Sequence, residues 1–237
     1  MKCDELKASF SSCSIGDLRF HWNELNLEEP MTRAISVEQC TKAIVLGVQD
    51  AQRNYERWSG DWLWQGPEYL ISSHVASRLA ILPGACYVTL ESGVRNTLKE
   101  AGAAHRGHPI KALRSNGRFD VVLWWASGVP RAAIEVKNGV WAFAQIEHDV
   151  HRIAAAVSKK LNTESKLQFG AVAFYASTRD NKRSDASKQL KSLNDTLLRK
   201  TKQAVGNTSK TISVCSVPSR IYKDKDSAWT AMCYVFN

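Results

Sequence analysis

Two carboxylates and an ammonium group stand at spacings that could support chemistry on a phosphate. Glu135 and Lys137 lie in the run 131–137, and Asp120 lies in the earlier run 119–125. Both runs are rich in β-formers and are separated by a short turn, which predicts an antiparallel hairpin. Because residues i and i+2 of a strand share a face, we expect Glu135 and Lys137 to point together, with the Asp120 carboxylate beside Glu135.

This arrangement is suited to binding magnesium. Hard divalent cations prefer oxygen ligands, and Mg²⁺ keeps several waters while it binds one or two carboxylates. Asp120 and Glu135 are the expected ligands, and Mn²⁺ is an expected substitute for Mg²⁺. The cation would polarise a scissile phosphate and help to generate hydroxide, while Lys137 would orient the water or neutralise charge on the phosphate. The expected reaction is hydrolysis of a phosphodiester bond.

The Glu-x-Lys triplet is a weak signal when it stands alone. The chain contains three such triplets, which begin at Glu5, Glu135 and Glu164. Only the triplet at Glu135 lies in a β-rich segment that is preceded by a strand with an Asp. Acidic residues in neighbouring strands cost stability unless each has a partner, and this favours a functional site over a structural role.

The run 117–123 with Asp120, followed by the run 133–137, resembles the PD-(D/E)xK superfamily of phosphodiesterases, which includes many restriction and repair nucleases. The resemblance covers roughly residues 66–176. It implies a core of a helix, a mixed sheet and a second helix, and a metal-dependent hydrolysis that leaves a 5′-phosphate. The sequence departs from the family pattern at Phe119, where a Pro often precedes the Asp.

Four further polar residues are candidates for accessory roles. The family often has an acidic residue in the helix before the sheet, and Glu68 stands in that place. A solvent-exposed carboxylate in a first helical turn is the equal alternative for Glu68, and Glu91 is a rival for its role. Gln145, Asp149 and Arg152 follow at i, i+4 and i+7, which predicts one face of a helix. For Asp149 and Arg152, a local ion pair is the alternative.

The positive charge of the chain is concentrated in its last third. Residues 1–150 contain 16 Lys and Arg against 17 Asp and Glu, whereas residues 151–237 contain 16 against 6, a net charge of +10. Such asymmetry attracts polyanions, although a solvated surface explains it equally well. The candidates for contact with phosphates are Arg179, Lys182, Arg183, Lys188 and Lys191. DNA is therefore the expected partner, with RNA as the alternative.

The spacing of apolar residues predicts an α/β fold with a central mixed β-sheet flanked by helices, a restriction-endonuclease-like core. Helices are predicted over roughly residues 37–58, 68–82, 94–101, 140–161 and 185–204. Ser36, with Gln39 three residues later, predicts a capping box at the start of the first helix. Strands are predicted over roughly residues 86–90, 119–125, 131–137, 167–175, 211–217 and 229–236. Residues 1–65 form an N-terminal extension with one amphipathic helix in this interpretation, and residues 66–237 form the nuclease-like domain, unless the whole chain is a single domain.

The composition favours a cytoplasmic protein without a membrane partner. No run approaches the ~20 apolar residues that a membrane span requires, and no secretory signal is recognisable at the N-terminus.

Two pairs of histidines have a spacing that could bind a metal, namely His105 with His108 and His148 with His151. No third or fourth ligand accompanies either pair, so zinc is not expected. A homodimer is expected if the enzyme cuts both strands, because double-strand cutters with one site per chain commonly act as dimers.

Two other functions remain open at this point. The first is a nucleic-acid-binding module that kept the fold without turnover, and the second is a partner-binding regulatory subunit that uses the Trp-rich segment 58–64. Silent members of such a family usually lose one of the three core residues. All three are present here, which favours the enzyme. A defence system is the biological setting suggested by analogy alone.

Overall fold

The computed structural model describes residues 35–83, 86–103, 111–114, 116–162, 165–182, 184–209, 212–217 and 219–237. The described residues belong to one compact unit, Arg33–Asn237. Our predictions for residues 1–34, for His105 and His108, and for Arg183 lie outside the described residues.

The described part of the chain contains five α-helices and seven strands. The α-helices are α1 (Val37–Ser59), α2 (Glu68–Ala80), α3 (Val94–Glu100), α4 (Glu147–Asn162) and α5 (Ala186–Thr208). The strands are β1 (Cys86–Gly93), β2 (Arg118–Trp125), β3 (Pro130–Lys137), β4 (Phe169–Arg179), β5 (Val214–Ser216), β6 (Ile221–Asp224) and β7 (Ser227–Phe236). No helix within these described stretches is long and apolar enough to cross a membrane.

All seven strands form one mixed sheet. Its order is β1-β2-β3-β4-β7-β5, and β6 also pairs with β7. β3 and β4 are parallel, and the other pairs are antiparallel. The predicted hairpin of β2 and β3 is confirmed, and so is the α/β class with a mixed sheet flanked by helices.

The sheet is covered on both faces by helices. Ile134 and Val136 of β3 join the apolar cluster that includes α1 and α2, whereas Ala133 joins the cluster that includes α3, α4 and α5. Since side chains alternate along a strand, Glu135 and Lys137 belong to the face that α4 covers. Burial on both faces also explains why the central strands are nearly continuous apolar runs.

The first helix belongs to the same compact unit as the sheet. The predicted capping box is confirmed, because the Ser36 side chain accepts from the Gln39 N–H and the Gln39 side chain accepts from the Ser36 N–H. Near the middle of α1, Gly47 allows a very close approach to α2, since a Cβ built at this position would lie 2.5 Å from Val75 Cα. This approach holds α1 and α2 together as one layer.

The prediction that a helix begins at Val140 is wrong, because α4 begins at Glu147. The Val140 N–H donates instead to the Tyr175 carbonyl of β4, at 3.0 Å. The segment that follows contains only a short 3-10 turn, Phe143–Gln145. The N–H groups of Trp141 and Ala142 donate to the Gln145 side chain, and the Val140 contact holds the start of the segment against β4.

The strand β6 was not predicted. It forms a hairpin with β7 through a tight turn at Lys225 and Asp226, and Lys225 has a positive φ of 49°. The residues of β6 are half-buried or exposed and include Lys223 and Asp224. Such a short, polar edge strand lacks the apolar alternation that identifies a strand in a sequence.

Candidate active site

The strands β2 and β3 separate where the acidic residues lie. Val121 and Ile134 are the last pair of the ladder in that direction. Beyond them, the Asp120 carboxylate accepts a hydrogen bond from the Val136 N–H, with 2.7 Å between Oδ2 and N. On its other edge, β3 remains paired with β4 as far as Lys137. The Asp120 carboxylate therefore takes the place of a strand partner at the end of β3.

Glu135 lies almost entirely out of solvent, with 1% of its side chain exposed. Its Oε2 forms an ion pair with Arg152 of α4. Among the described residues, no nitrogen or hydroxyl donor reaches its Oε1. The Asp120 carboxyl lies within hydrogen-bonding reach of Glu135, so a proton on either acid would be shared between the two. A buried carboxylate oxygen without a partner is unfavourable, and either a proton or a cation would relieve that cost.

Lys137 joins acids from both helical layers. Its Nζ lies 2.9 Å from Oε1 of Glu68 and 3.7 Å from Oδ2 of Asp149. Glu68 is the first residue of α2, and Asp149 lies in the first turn of α4. Acids are stabilised at such positions because the N-terminus of a helix carries a partial positive charge. The two helices thus begin at the same end of β3, one on each face.

The environment of the buried acids favours their protonated forms. Burial, together with the charge of Asp120, raises the pKa of Glu135 well above its usual value. Burial also raises the pKa of Asp120, with a further contribution from the charge of Glu68. Burial raises the pKa of Asp149 as well, against the opposing effect of Lys137. Perturbed acids of this kind are concentrated at functional sites, and structural ion-pair networks perturb pKa values as well.

The ammonium group of Lys137 is held in its charged form. Burial acts to lower the pKa of Lys137, but the hydrogen bond to Glu68 and the charges of Asp149 and Asp120 outweigh it, so the pKa is raised. Lys137 is therefore a fixed positive charge rather than a base. The cluster as a whole has an excess of acidic over basic groups, namely Glu68, Asp120, Glu135 and Asp149 against Lys137 and Arg152.

Asn138 is a structural part of this region that sequence reasoning missed. Its Nδ2 donates to the Leu63 carbonyl at 2.7 Å and to the Gly66 carbonyl at 2.8 Å. Its backbone N–H donates to Glu68 Oε2 at 3.1 Å. It therefore ties the segment before α2 to the end of β3. Its place directly after Lys137 was the only available signal in the sequence.

Of the accessory candidates, Glu68, Asp149 and Arg152 contact the predicted trio and Gln145 does not. Asp149 and Arg152 also form the alternative local ion pair, at 3.5 Å. The prediction that Gln145 shares a helix face with them is wrong, because it precedes α4. Its side-chain oxygen accepts the N–H groups of residues 141 and 142, and its amide donates to the residue 139 carbonyl. Glu91 is exposed on the edge strand β1.

The described phosphate-binding candidates lie at the end of β4, in the loop that follows it and on α5. Arg179 ends β4, and Lys182 follows it in the loop to α5. Lys188 and Lys191 lie on α5 itself. All four are exposed, so each is accessible to a polyanion.

The carboxylate oxygens of the site are the type of donor that Mg²⁺ prefers. Among the described residues, no group of three or more His, Cys, Asp or Glu side chains is placed to hold a metal ion. Mg²⁺ requires only one or two carboxylates and water, which the adjoining carboxyl groups of Asp120 and Glu135 can supply. The unpartnered Oε1 of Glu135 is an oxygen that such a cation would satisfy.

The contacts of the trio at the end of β3 are the basis on which function can be inferred. Comparison of the chain with protein-family models, with curated proteins and with solved structures finds no match in any of the three.

Proposed function

We propose that this chain is a metal-dependent nuclease of the PD-(D/E)xK type, which hydrolyses phosphodiester bonds in nucleic acid, with DNA as the first substrate. The observation that carries the proposal is the convergence of Asp120, Glu135 and Lys137 at one end of β3. Burial raises the pKa values of Asp120 and Glu135, and groups with perturbed pKa values are concentrated at functional sites.

Each member of the trio has a role in this proposal. Asp120 and Glu135 would hold Mg²⁺ or Mn²⁺ through their carboxylate oxygens. When bound, the cation supplies positive charge to the phosphate and lowers the pKa of water. Lys137 would donate a hydrogen bond to the attacking water or to a phosphate oxygen as negative charge develops there. Glu68 would hold the ammonium group in position through the 2.9 Å contact.

A second candidate function is supported by the ion pairs themselves. Arg152 already contacts Glu135, and Lys137 already contacts Glu68. In this alternative the network serves only to join α2 and α4 to β3. The protein would then bind nucleic acid through its exposed basic residues without cleaving it.

The two functions are separated by a cleavage assay. Supercoiled plasmid and single-stranded DNA are incubated with Mg²⁺ or Mn²⁺ and with wild type, Glu135→Ala or Lys137→Ala. Each substitution is expected to reduce cleavage about hundredfold or more, since the loss of one charge-stabilising group typically has an effect of that size. Lys166→Ala is the matched control, because Lys166 belongs to another Glu-x-Lys triplet and is exposed. Nicks that DNA ligase reseals would identify the expected 5′-phosphates.

Other results of the same assay would contradict the proposed function or the role of Lys137. If wild type does not cleave but binds DNA in a salt-sensitive way that survives both substitutions, the binding module is the correct function. If wild type neither cleaves nor binds DNA, both nucleic-acid functions fail, and a search for a protein partner follows. Equal cleavage by wild type and Lys137→Ala would remove Lys137 from the mechanism.

A further inference from the structure

A groove of about 480 Å³ lies next to the residues that support the candidate active site. One wall is the segment 60–65, and the other is formed by Trp141, the end of β4 and the turn between β6 and β7. Asn138 fastens the first wall to β3 through the Leu63 carbonyl. Trp141 belongs to the loop that leaves β3 directly after Lys137. The volume is within the range of about 300–1,000 Å³ that is typical of ligand pockets.

Two exposed indole rings line this groove. Trp64 is 46% exposed and Trp141 is 51% exposed. Trp141 is nevertheless held in place, because its Nε1 donates to the Ser177 carbonyl at 3.0 Å and its ring packs over Gly139. The neighbour of Trp64, Leu63, is fully buried and anchors the first wall. An exposed ring that is already held in place, as that of Trp141 is, can receive a planar ligand with little further loss of entropy.

The charges along the groove oppose a phosphate and suit a nucleobase. The groove is lined by three acidic residues, Asp61, Asp224 and Asp226, and by two basic residues, Arg179 and Lys225. An excess of carboxylates repels the phosphate backbone. Carboxylates do accept hydrogen bonds from the amino groups of bases, as Asp and Glu accept from cytosine N4. The aromatic surface and the acceptors therefore match the face and the edge of a base.

We propose that this groove binds an unpaired nucleobase of the substrate strand, stacked against Trp64 and Trp141. A base inside a duplex is covered on both faces by its neighbours, so it must be unstacked before it can enter such a groove. The substrate class is therefore single-stranded or locally unpaired nucleic acid. The inference rests on the proposed nuclease function for the position of the cleaved phosphate, whereas base binding itself needs no cation.

A binding experiment without a cation tests this inference. A short fluorescein-labelled DNA strand of mixed adenine and cytosine, and the blunt duplex of the same length, are titrated with protein in EDTA and followed by anisotropy. Wild type is expected to prefer the single strand. Trp64→Ala and Trp141→Ala should each weaken single-strand binding about five- to hundredfold, since base stacking on an aromatic side chain contributes on that scale. Trp141→Phe, which keeps a ring, should retain more of the affinity than Trp141→Ala.

The matched control is Trp58→Ala. Trp58 is the most exposed tryptophan of the described chain, at 66%, and it lies on α1 outside the groove lining. Its removal should leave single-strand affinity unchanged, and thermal unfolding of each variant shows whether the fold is intact. Wild-type affinity in the variant that lacks both Trp64 and Trp141, or equal affinity for single strand and duplex, would overturn the inference.

The same variants separate this inference from the proposed function. If wild type binds the single strand through the two rings but never cleaves with Mg²⁺ or Mn²⁺, the nuclease proposal fails and the base-binding groove stands. If wild type cleaves and both tryptophan variants bind and cleave single strands as well as wild type does, the groove proposal fails and the nuclease proposal stands.

Discussion

Asp120 and Glu135 are acids whose surroundings favour the protonated form, and this couples the site to the stability of the fold. Burial is the leading cause of the raised pKa of each residue. At neutral pH, either the protein keeps a proton on the pair or it bears the cost of burying charge. A divalent cation at the same oxygens would remove that cost, so cation binding and folding stability should be linked.

We predict that Asp120→Asn stabilises the fold at neutral pH in the presence of EDTA. An Asn oxygen can still accept the Val136 N–H, while the ionised carboxylate is gone. The folded pKa of Asp120 is raised, so the unfolded chain releases its proton first, near pH 3.9. The contribution of the Asp120 proton to the free energy of unfolding is therefore fully present below that pH, and it is lost as the pH rises through the folded pKa. Urea unfolding at several pH values should show a difference between variant and wild type that vanishes in acid.

Divalent cations should make wild type more stable than Asp120→Asn, the reverse of the order in EDTA. A ligand that binds only the folded state stabilises it by about 2.7 kcal/mol at a concentration of a hundred times its Kd. Mg²⁺ or Mn²⁺ should therefore raise the Tm of wild type more than that of Asp120→Asn. Equal shifts in both proteins would show that the cation does not bind at Asp120.

At the scale of elements, the site depends on α2 and α4 beginning at the same end of β3. The position of α2 depends in turn on its close crossing with α1. Gly47 of α1 lies against Val75 of α2, and a Cβ built at Gly47 would lie 2.5 Å from the Val75 Cα and 2.8 Å from the Val75 N. These are backbone atoms, which cannot turn aside as a flexible side chain can. The crossing is thus specific for glycine, even though glycine is a weak helix former.

We predict opposite effects of alanine at two helical glycines. Alanine in a helix interior is favoured over glycine by about 1 kcal/mol. At Gly47 overpacking should outweigh that gain, since inserting atoms into a packed region costs typically about 1–3 kcal/mol and the contact here is with backbone. At Gly206 of α5 the built Cβ meets nothing within 4 Å, so Gly206→Ala should stabilise by up to about 1 kcal/mol. Urea midpoints measure both changes.

The comparison is informative because both substitutions are chemically identical. Gly47→Ala should also reduce the proposed cleavage, since it displaces α2 and with it Glu68. A Gly47→Ala variant as stable as Gly206→Ala would show that α1 and α2 do not approach as closely as described.

At the scale of the whole molecule, the positive charge is carried mainly by the C-terminal third. Residues 151–237 have a net charge of +10, and a large exposed part of it lies along α5. The exposed basic residues of this helix are Lys188, Lys191, Arg199, Lys200 and Lys202. α5 covers the same face of the sheet as α4, which supplies Asp149 and Arg152 to the site. A polyanion attracted to α5 therefore meets the side of the molecule to which Glu135 and Lys137 belong.

We predict that the proposed binding of DNA depends strongly on salt and that α5 contributes to this dependence. Each phosphate contact adds about 0.7–0.9 to the slope of log K against log salt concentration. Substitution of Lys188 and Lys191 by alanine together should lower the slope by up to roughly two of these increments and weaken all DNA sequences alike. Lys42→Ala is the control, because Lys42 is 65% exposed on α1, on the other face of the sheet. An unchanged slope in the double variant would remove α5 from the DNA-binding surface.

Elements that depend on residues close in the chain were predicted correctly, whereas elements that depend on distant residues were missed or predicted wrongly. The capping box at Ser36 and the hairpin of β2 and β3 were predicted because each depends on residues that are close in the chain. The helical start at Val140 was predicted wrongly, because the Val140 N–H is taken by Tyr175, a residue of another strand. The strand β6 was missed for a related reason, since its pairing with β7 rather than its own pattern makes it a strand.

For the site, the sequence by itself determined that Glu135 and Lys137 share one face of a strand and that Asp120 lies on the strand paired with it. Strand alternation and hairpin pairing are local, so a single sequence carries them. Only the tertiary structure decided that Glu68 contacts Lys137 across 69 positions of sequence and that Arg152 contacts Glu135. It also decided that Trp64 and Trp141 line one groove. These contacts depend on how two helical layers and the loops between them pack against one sheet, and no local period in a sequence encodes that packing.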